Sequence, residues 1–111
     1  GMPGAAHLKD DARILDLLKN MAAAGKYTAA ICAAPMVLAE AGLLKGKQAT
    51  SYPGFLDALP GVTVSTAAVV QDGKVLTSRG PGTAMDFALA LVEALAGAEK
   101  RQQVEAALVR P

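Results

Sequence analysis

Residues 27–35 read Tyr-Thr-Ala-Ala-Ile-Cys-Ala-Ala-Pro, and this stretch decides the fold. Its first five residues form a short, mostly apolar segment that is typical of a buried strand. Pro35 lies just inside the helical pattern that follows, where its missing N–H is harmless. Cys32 therefore stands on a tight turn between a strand and a helix. That turn lies at the carboxyl edge of the predicted sheet, where α/β proteins place their sites.

Helical and strand-like patterns alternate along the rest of the chain, which predicts an α/β fold. The first helical pattern begins at Asp10-Asp11 and stops at Gly25, and Gly97 stops a later one. A turn over residues 71–74 joins two strands into a hairpin. We predict helices over residues 10–24, 36–41, 85–96 and about 99–107, strands over 27–31, 47–52, 62–70 and 75–78, and a helical turn over 55–59.

The order of these elements indicates an incomplete domain. The chain opens with a helix whose apolar face needs a sheet already in place. Two short strands and a hairpin form a sheet with too few strands to cover the apolar faces of four helices. We therefore interpret residues 1–111 as a single partial domain, the C-terminal part of a larger doubly wound domain whose N-terminal strands and helix are missing.

Composition excludes several classes of function. The net charge of +1 comes without a basic block, so nothing supports nucleic-acid binding. The apolar runs are far too short for a membrane span. With one Cys, one His and no metal-ligand spacing, we expect no metal. A single free thiol favours a reducing compartment, so we expect a cytoplasmic protein, or an organellar one in a eukaryote.

Two interpretations of Cys32 follow from its surroundings. The small neighbours Ala33 and Ala34 permit a sharp elbow, and the free N–H groups of the next helix would favour thiolate and hold an oxyanion. A nucleophile is the interpretation we favour. The alternative is a buried and inert cysteine, which is common in proteins.

The other polar features give weaker signals. His7 is the one candidate base of the Cys–His type, but it lies ahead of the first helix and nothing orients it, so a surface role is favoured. Residues 79–83 follow a strand and precede a helix without Walker spacing, which argues against a phosphate cradle. This loop shares the sheet edge of Cys32, so we interpret it as a pocket wall or a subunit contact.

Residues 29–35 and 76–83, the latter reading Leu-Thr-Ser-Arg-Gly-Pro-Gly-Thr, together carry a family resemblance. With a helix ending at 92–97 and the tail at 108–109, they resemble the DJ-one/ThiJ/PfpI superfamily (class I glutamine amidotransferase-like), and its DJ-one branch in particular. The resemblance covers essentially the whole chain. It implies a flavodoxin-like three-layer α/β sandwich, present here as its C-terminal portion, and a homodimer.

The resemblance also implies a site. Cys32 matches the family's nucleophile, and the backbone of Gly1 and Ala33 would face it. A glutamate from the N-terminal part of such proteins hydrogen-bonds the cysteine, so we expect a missing segment of the same protein to supply it. The histidine that some members carry after the strand near Lys47 is absent, which weakens a protease interpretation. The pocket or dimer loop consists of Arg79, Gly80, Pro81 and Gly82.

Two functions remain as hypotheses. The favoured one is a cofactor-free glyoxalase and deglycase, acting on small dicarbonyls such as methylglyoxal or glyoxal and on their early adducts. The alternative is a redox-sensing chaperone whose Cys32 is oxidised to the sulfinate. Both need a reactive thiol at Cys32, and turnover of methylglyoxal without glutathione separates them.

Overall fold

The computed structural model describes all 111 residues and confirms the alternation of helices and strands. None of its helices is long and apolar enough to cross a membrane. The helices are α1 (Gly4–Lys9), α2 (Ala12–Ala23), α3 (Pro35–Glu40), α4 (Ala84–Ala96) and α5 (Ala98–Leu108). The strands are β1 (Thr28–Ile31), β2 (Gln48–Ala49), β3 (Thr63–Val64), β4 (Val69–Asp72) and β5 (Val75–Ser78).

The main sheet has the strand order β1-β5-β4. β1 and β5 are parallel, with Ile31 opposite Ser78, and β4 returns antiparallel to β5. The hairpin turns at Gly73, whose φ of 61° is the left-handed value that such turns require. Because the parallel strands end at the same edge, Cys32 and the loop after Ser78 lie side by side, as predicted.

Two strand predictions were wrong in extent. Residues 62–70 do not form one strand, because β3 pairs with β2 in a separate two-stranded sheet while β4 joins the main sheet. Between them the Ser65 hydroxyl accepts the Ala67 N–H at 3.1 Å, a local bond that competes with strand pairing. The predicted strand over 47–52 is shorter in the structure and consists of β2 alone. It ends there because the Thr50 N–H donates to the Thr77 hydroxyl and not to a backbone carbonyl of a neighbouring strand.

The helix predictions held with shifts at their ends, apart from two segments. Residues 55–59 form turns and bends instead of a helical turn, and α1 was not predicted at all. His7 lies exposed in the last turn of α1. Asp11 caps α2 by accepting the Arg13 N–H at 2.9 Å, and its bonds to the Arg13 side chain and backbone lower its pKa to about 2.

The core lies where α3 and its following loop pack against the sheet. Its buried members are Ala30, Leu38, Leu44, Ala49, Leu56 and Val75. By contrast, α2 buries no residue fully, and Leu17 on that helix is 55% exposed. β1 pairs on one side only, so its other edge is unpaired and Ala29 is exposed. Within this chain the apolar surface near β1 is therefore only partly covered.

Leu76 in the middle strand β5 offers a test of this core. It is fully buried, so Leu76→Ala in the complete protein should lower the free energy of unfolding by about 2–5 kcal/mol. Leu95→Ala is the matched control, because Leu95 is 70% exposed, and we expect a loss within about 0.5 kcal/mol. Chemical denaturation measures both. Equal losses for the two variants would contradict the placement of β5 at the centre of the sheet.

Candidate functional site

The backbone at Cys32 is strained. Its φ is 66°, in the left-handed region that a non-glycine residue rarely adopts. Such a conformation costs about 1–3 kcal/mol and persists only where the surroundings enforce it. The neighbours allow it, because Ala33 and Ala34 carry no bulk beyond Cβ. The sharp elbow predicted from the sequence is therefore present, with Cys32 as its apex.

Two backbone hydrogen bonds hold the elbow, one on each side of the residue. The Cys32 N–H donates to the Ser78 carbonyl at 3.0 Å, which continues the β1–β5 ladder by one residue. The Cys32 carbonyl accepts the Tyr52 N–H at 2.8 Å. Cys32 itself is partly buried and its thiol is free. The side chain thus leaves a fixed backbone and is partly exposed.

The loop beside the elbow is rigid because its polar groups bond one another. The Ser78 hydroxyl is within 2.7 Å of the Ala68 carbonyl and 2.6 Å of the Thr83 hydroxyl. The Thr83 hydroxyl also bonds the N–H and the carbonyl of Gly80, at 3.1 and 3.0 Å. Ser78 is completely buried. The carbonyl that holds the Cys32 N–H therefore belongs to a well-anchored residue.

Most N–H groups at the start of α3 are already used. The Ala34 N–H donates to the Ile31 carbonyl, the Met36 N–H donates to the Ala33 carbonyl, and Pro35 has none. The Ala33 N–H has no acceptor within the chain. Ala33 is thus the one residue of this turn with a free N–H for an oxyanion. The sequence led us to expect that several N–H groups of this helix could hold an oxyanion. The structure leaves only the Ala33 N–H for that purpose.

No carboxylate of the chain bonds the cysteine. Asp72 accepts the Gln48 N–H, and Asp86 holds Arg110. Glu93 pairs with Arg101. Nor do three His, Cys, Asp or Glu side chains gather closely enough to hold a metal ion. The elbow therefore has a free thiol and an N–H donor but takes no general base from the acids that are paired in this way.

The remaining predicted site residues differ in how far they are buried. Arg79 follows Ser78 and is partly buried, Gly80 is buried, and Pro81 and Gly82 are exposed in a single turn of 3-10 helix. Gly1 is exposed, and its carbonyl accepts the Ala5 N–H at 2.9 Å. Its role beside Cys32 stays a prediction.

A separate cavity lies elsewhere along α3. It measures about 490 Å³ and follows α3 from Met36 to Glu40, between the end of α1 and the segment from Phe55 to Val62. Cys32 does not line it. Its position on the far stretch of α3 separates it from the elbow chemistry.

Tyr52 is the site residue that the sequence did not reveal. Its N–H holds the Cys32 carbonyl, although the two residues are twenty positions apart. A usable signal existed, because Pro53 ends a strand-like segment and so places residue 52 near the carboxyl edge of a sheet. The bond itself could not be inferred, since it depends on where the loop after β2 crosses the elbow.

The comparisons with known proteins agree with this geometry. The model of the DJ-1/PfpI family matches residues 1–94. Drosophila melanogaster dj-1beta is 44% identical over 111 residues, which are 98% of this chain and 59% of that protein. Its crystal structure superimposes with a TM-score of 0.93, covering 100% of this chain and 61% of that one.

Two further relatives widen the picture. A structure described as Toxoplasma gondii DJ-1, oxidized, has a TM-score of 0.91 at 42% identity and covers 98% of this chain and 60% of that chain. The isonitrile hydratase of Pseudomonas putida is 36% identical over 107 residues, which are 95% of this chain and 47% of the enzyme. This chain thus spans about half to three fifths of the length of these relatives.

The exposure of the methionines gives a test of Cys32 reactivity. Three methionines are well exposed: Met2 at 54%, Met21 at 37% and Met85 at 47%. Cys32 is only partly exposed. If access alone governed oxidation, these methionines would compete well with the thiol. We expect Cys32 to gain oxygen first under mild peroxide, because a nucleophilic cysteine sulfur reacts with peroxide more readily than a methionine thioether. Peptide mass mapping over time measures this, and oxidised methionines beside a reduced Cys32 would identify an inert thiol.

Proposed function

We propose that this chain, which belongs to the DJ-1/PfpI family, is the cysteine-bearing part of a cofactor-free glyoxalase and deglycase that acts on methylglyoxal or glyoxal. The observation that carries the proposal is the strained elbow at Cys32 with the unpaired N–H of Ala33 beside it. A thiol and an N–H donor at one turn suit the addition of sulfur to a carbonyl carbon, because negative charge then develops on the carbonyl oxygen.

Water is the only co-reactant that the proposed reaction consumes. The Cys32 thiolate attacks the aldehyde carbon of methylglyoxal, a C–S bond forms, and the carbonyl electrons move to oxygen next to the Ala33 N–H. Protonation gives a hemithioacetal. A base then moves the C–H proton of the former aldehyde carbon to the neighbouring ketone carbon, and the hemithioacetal hydroxyl proton passes to the ketone oxygen. The former aldehyde carbon becomes the carbonyl of a lactoyl thioester. Water cleaves the C–S bond and releases lactate, and the thiolate is restored.

Related substrates use the same first step. In deglycation, the carbon attacked is that of an early glyoxal adduct on an amine or a thiol, and the amine or thiol is the leaving group. The name of the Pseudomonas putida relative indicates hydration of an isonitrile, which also has an electrophilic carbon. We favour the dicarbonyl substrates for this chain because they are small and need no binding group beyond the elbow.

Substitution of Cys32 tests the proposal directly. In the complete protein, Cys32→Ala should lower lactate formation from methylglyoxal, without glutathione, by about three orders of magnitude or more. His7→Gln is the matched control and should retain the rate, because His7 is exposed and caps nothing. Full turnover by Cys32→Ala would refute the thiol mechanism. Loss of turnover in His7→Gln would identify His7 as the missing base.

The general base is proposed to come from an upstream segment of the same protein, in the form of a glutamate. Three features near β1 support such a segment. The outer edge of β1 is unpaired, α2 buries no residue, and the Thr28 hydroxyl is buried without a partner. A buried polar group without a hydrogen bond costs about 1–3 kcal/mol. A strand laid along β1 would pair its edge and cover this surface.

Expression with and without the upstream segment tests this part of the proposal. Residues 1–111 made alone should unfold without a clear cooperative transition and should not consume methylglyoxal. Adding the upstream segment, in the same chain or as a second chain, should restore both properties. Thermal unfolding followed by circular dichroism and a methylglyoxal assay are the measurements. A sharp transition and full turnover from residues 1–111 alone would contradict it.

A redox sensor and chaperone is the second candidate, and one comparison favours it. The Toxoplasma gondii relative is described as oxidized. Here two equivalents of peroxide would convert the Cys32 thiolate to the sulfinate, and each would be reduced to water. Stable sulfinate without turnover of methylglyoxal would favour this candidate over the enzyme.

The proposal extends to a homodimer and to a reducing compartment. Pro81 and Gly82 are exposed next to the elbow and form the candidate contact of a two-fold homodimer. The single free thiol favours a reducing, cytoplasmic setting.

A further inference from the structure

Tyr52 lies across the two segments that build the elbow. Its backbone N–H donates to the Cys32 carbonyl at 2.8 Å. Its ring covers Gly80, because a Cβ built on Gly80 would be 3.4 Å from the ring Cδ2. Gly80 has extended backbone, with φ 175°, and the ring lies beside it at van der Waals distance. One residue thus contacts both the cysteine turn and the loop after β5.

The two hydrogen bonds at Cys32 are anchored differently. Ser78 belongs to β5, so its carbonyl is fixed by strand pairing on both sides of the residue. Tyr52 belongs to no strand or helix. Its backbone is held instead by packing and local bonds: its ring meets the Phe55 ring edge-on at 6.3 Å, and the Ser51 hydroxyl donates to its carbonyl at 2.8 Å. The Phe55 N–H also donates to the Tyr52 carbonyl, at 3.3 Å. Packing against Phe55 and Gly80 is the part of this support that the Tyr52 side chain contributes.

We propose that Tyr52 is a positioning residue that keeps Cys32 in the left-handed conformation required for its chemistry, an inference that rests on the function proposed above. The ring fixes the Tyr52 backbone by packing on Gly80 and Phe55. That backbone fixes the Cys32 carbonyl, and the carbonyl fixes the direction in which the thiol leaves the turn. Without the ring, the Tyr52 N–H drifts and the strained elbow relaxes.

The ring is the part that matters, and the hydroxyl is dispensable. The Tyr52 hydroxyl bonds no protein group, and the side chain is 49% exposed. Tyr52→Phe keeps the ring and should behave as the unmodified protein. Tyr52→Ala removes it, and because half of the side chain already faces solvent, the variant should fold. Tyr27→Ala is the matched control: it removes a tyrosine ring next to the opposite end of β1, where the ring contacts the Lys74 amine.

The experiment compares the three variants in the complete protein by two measurements. The first is kcat and KM for methylglyoxal, and the second is the rate of Cys32 alkylation by iodoacetamide. For Tyr52→Ala we expect kcat and the alkylation rate to fall about tenfold while KM stays within about twofold, because misplacing a nucleophile reduces the rate of attack. Tyr52→Phe and Tyr27→Ala should remain within about twofold in both measurements.

Unchanged alkylation in Tyr52→Ala would overturn the proposal, and so would faster alkylation, which would mean that the ring shields the thiol. Should Tyr52→Ala lose its melting transition, Tyr52→Leu takes its place with the same expected loss. A crystal structure of the variant gives a direct check, since the φ of Cys32 should leave the left-handed region. If the unmodified protein does not consume methylglyoxal, the proposed function fails, and alkylation still tests Tyr52.

Discussion

The left-handed backbone at Cys32, held between two hydrogen bonds, is the constraint on which the site depends. A φ of 66° is unfavourable for a residue with a side chain, so the surrounding fold must supply the free energy that maintains it. The bond from Cys32 to Ser78 ties the elbow to the parallel pairing of β1 and β5. The bond from Tyr52 ties it to the loop after β2. Loss of either would let the turn relax toward ordinary values.

The same pairing explains why the loop over residues 79–83 matters. β5 lies between β1 and β4, so any shift in its register would move the Ser78 carbonyl away from Cys32. The hydroxyls of Ser78 and Thr83 hold the loop in one conformation, and the Tyr52 ring packs beside Gly80. The register of β1 and β5, the loop over residues 79–83 and the Tyr52 ring thus all help to fix the turn at Cys32. The outer edge of β1, the strand that leads into this turn, is unpaired.

Much of this could be predicted from the sequence, and the reasons are local. A short apolar segment, a cysteine between small residues and a proline at the next helix start define the elbow without tertiary information. The shared sheet edge followed from the strand–helix order. Three features could not be predicted: the split of residues 62–70, helix α1 and the bond between Tyr52 and Cys32. The split depends on the Ser65 hydroxyl, which competes with strand pairing for the Ala67 N–H. The other two depend on contacts between residues far apart in sequence. Gly1 and the glutamate rest on the family resemblance alone.

In the proposed mechanism, Cys32 forms a covalent bond to a dicarbonyl carbon during turnover. Rapid acid quenching of the complete protein with methylglyoxal, followed by peptide mass analysis, tests it most directly. We predict that the peptide containing Cys32 gains the mass of one methylglyoxal during turnover and loses it when the substrate is exhausted. Methylglyoxal consumed with adducts only on lysine and arginine side chains, and with Cys32 unmodified throughout, would contradict the account.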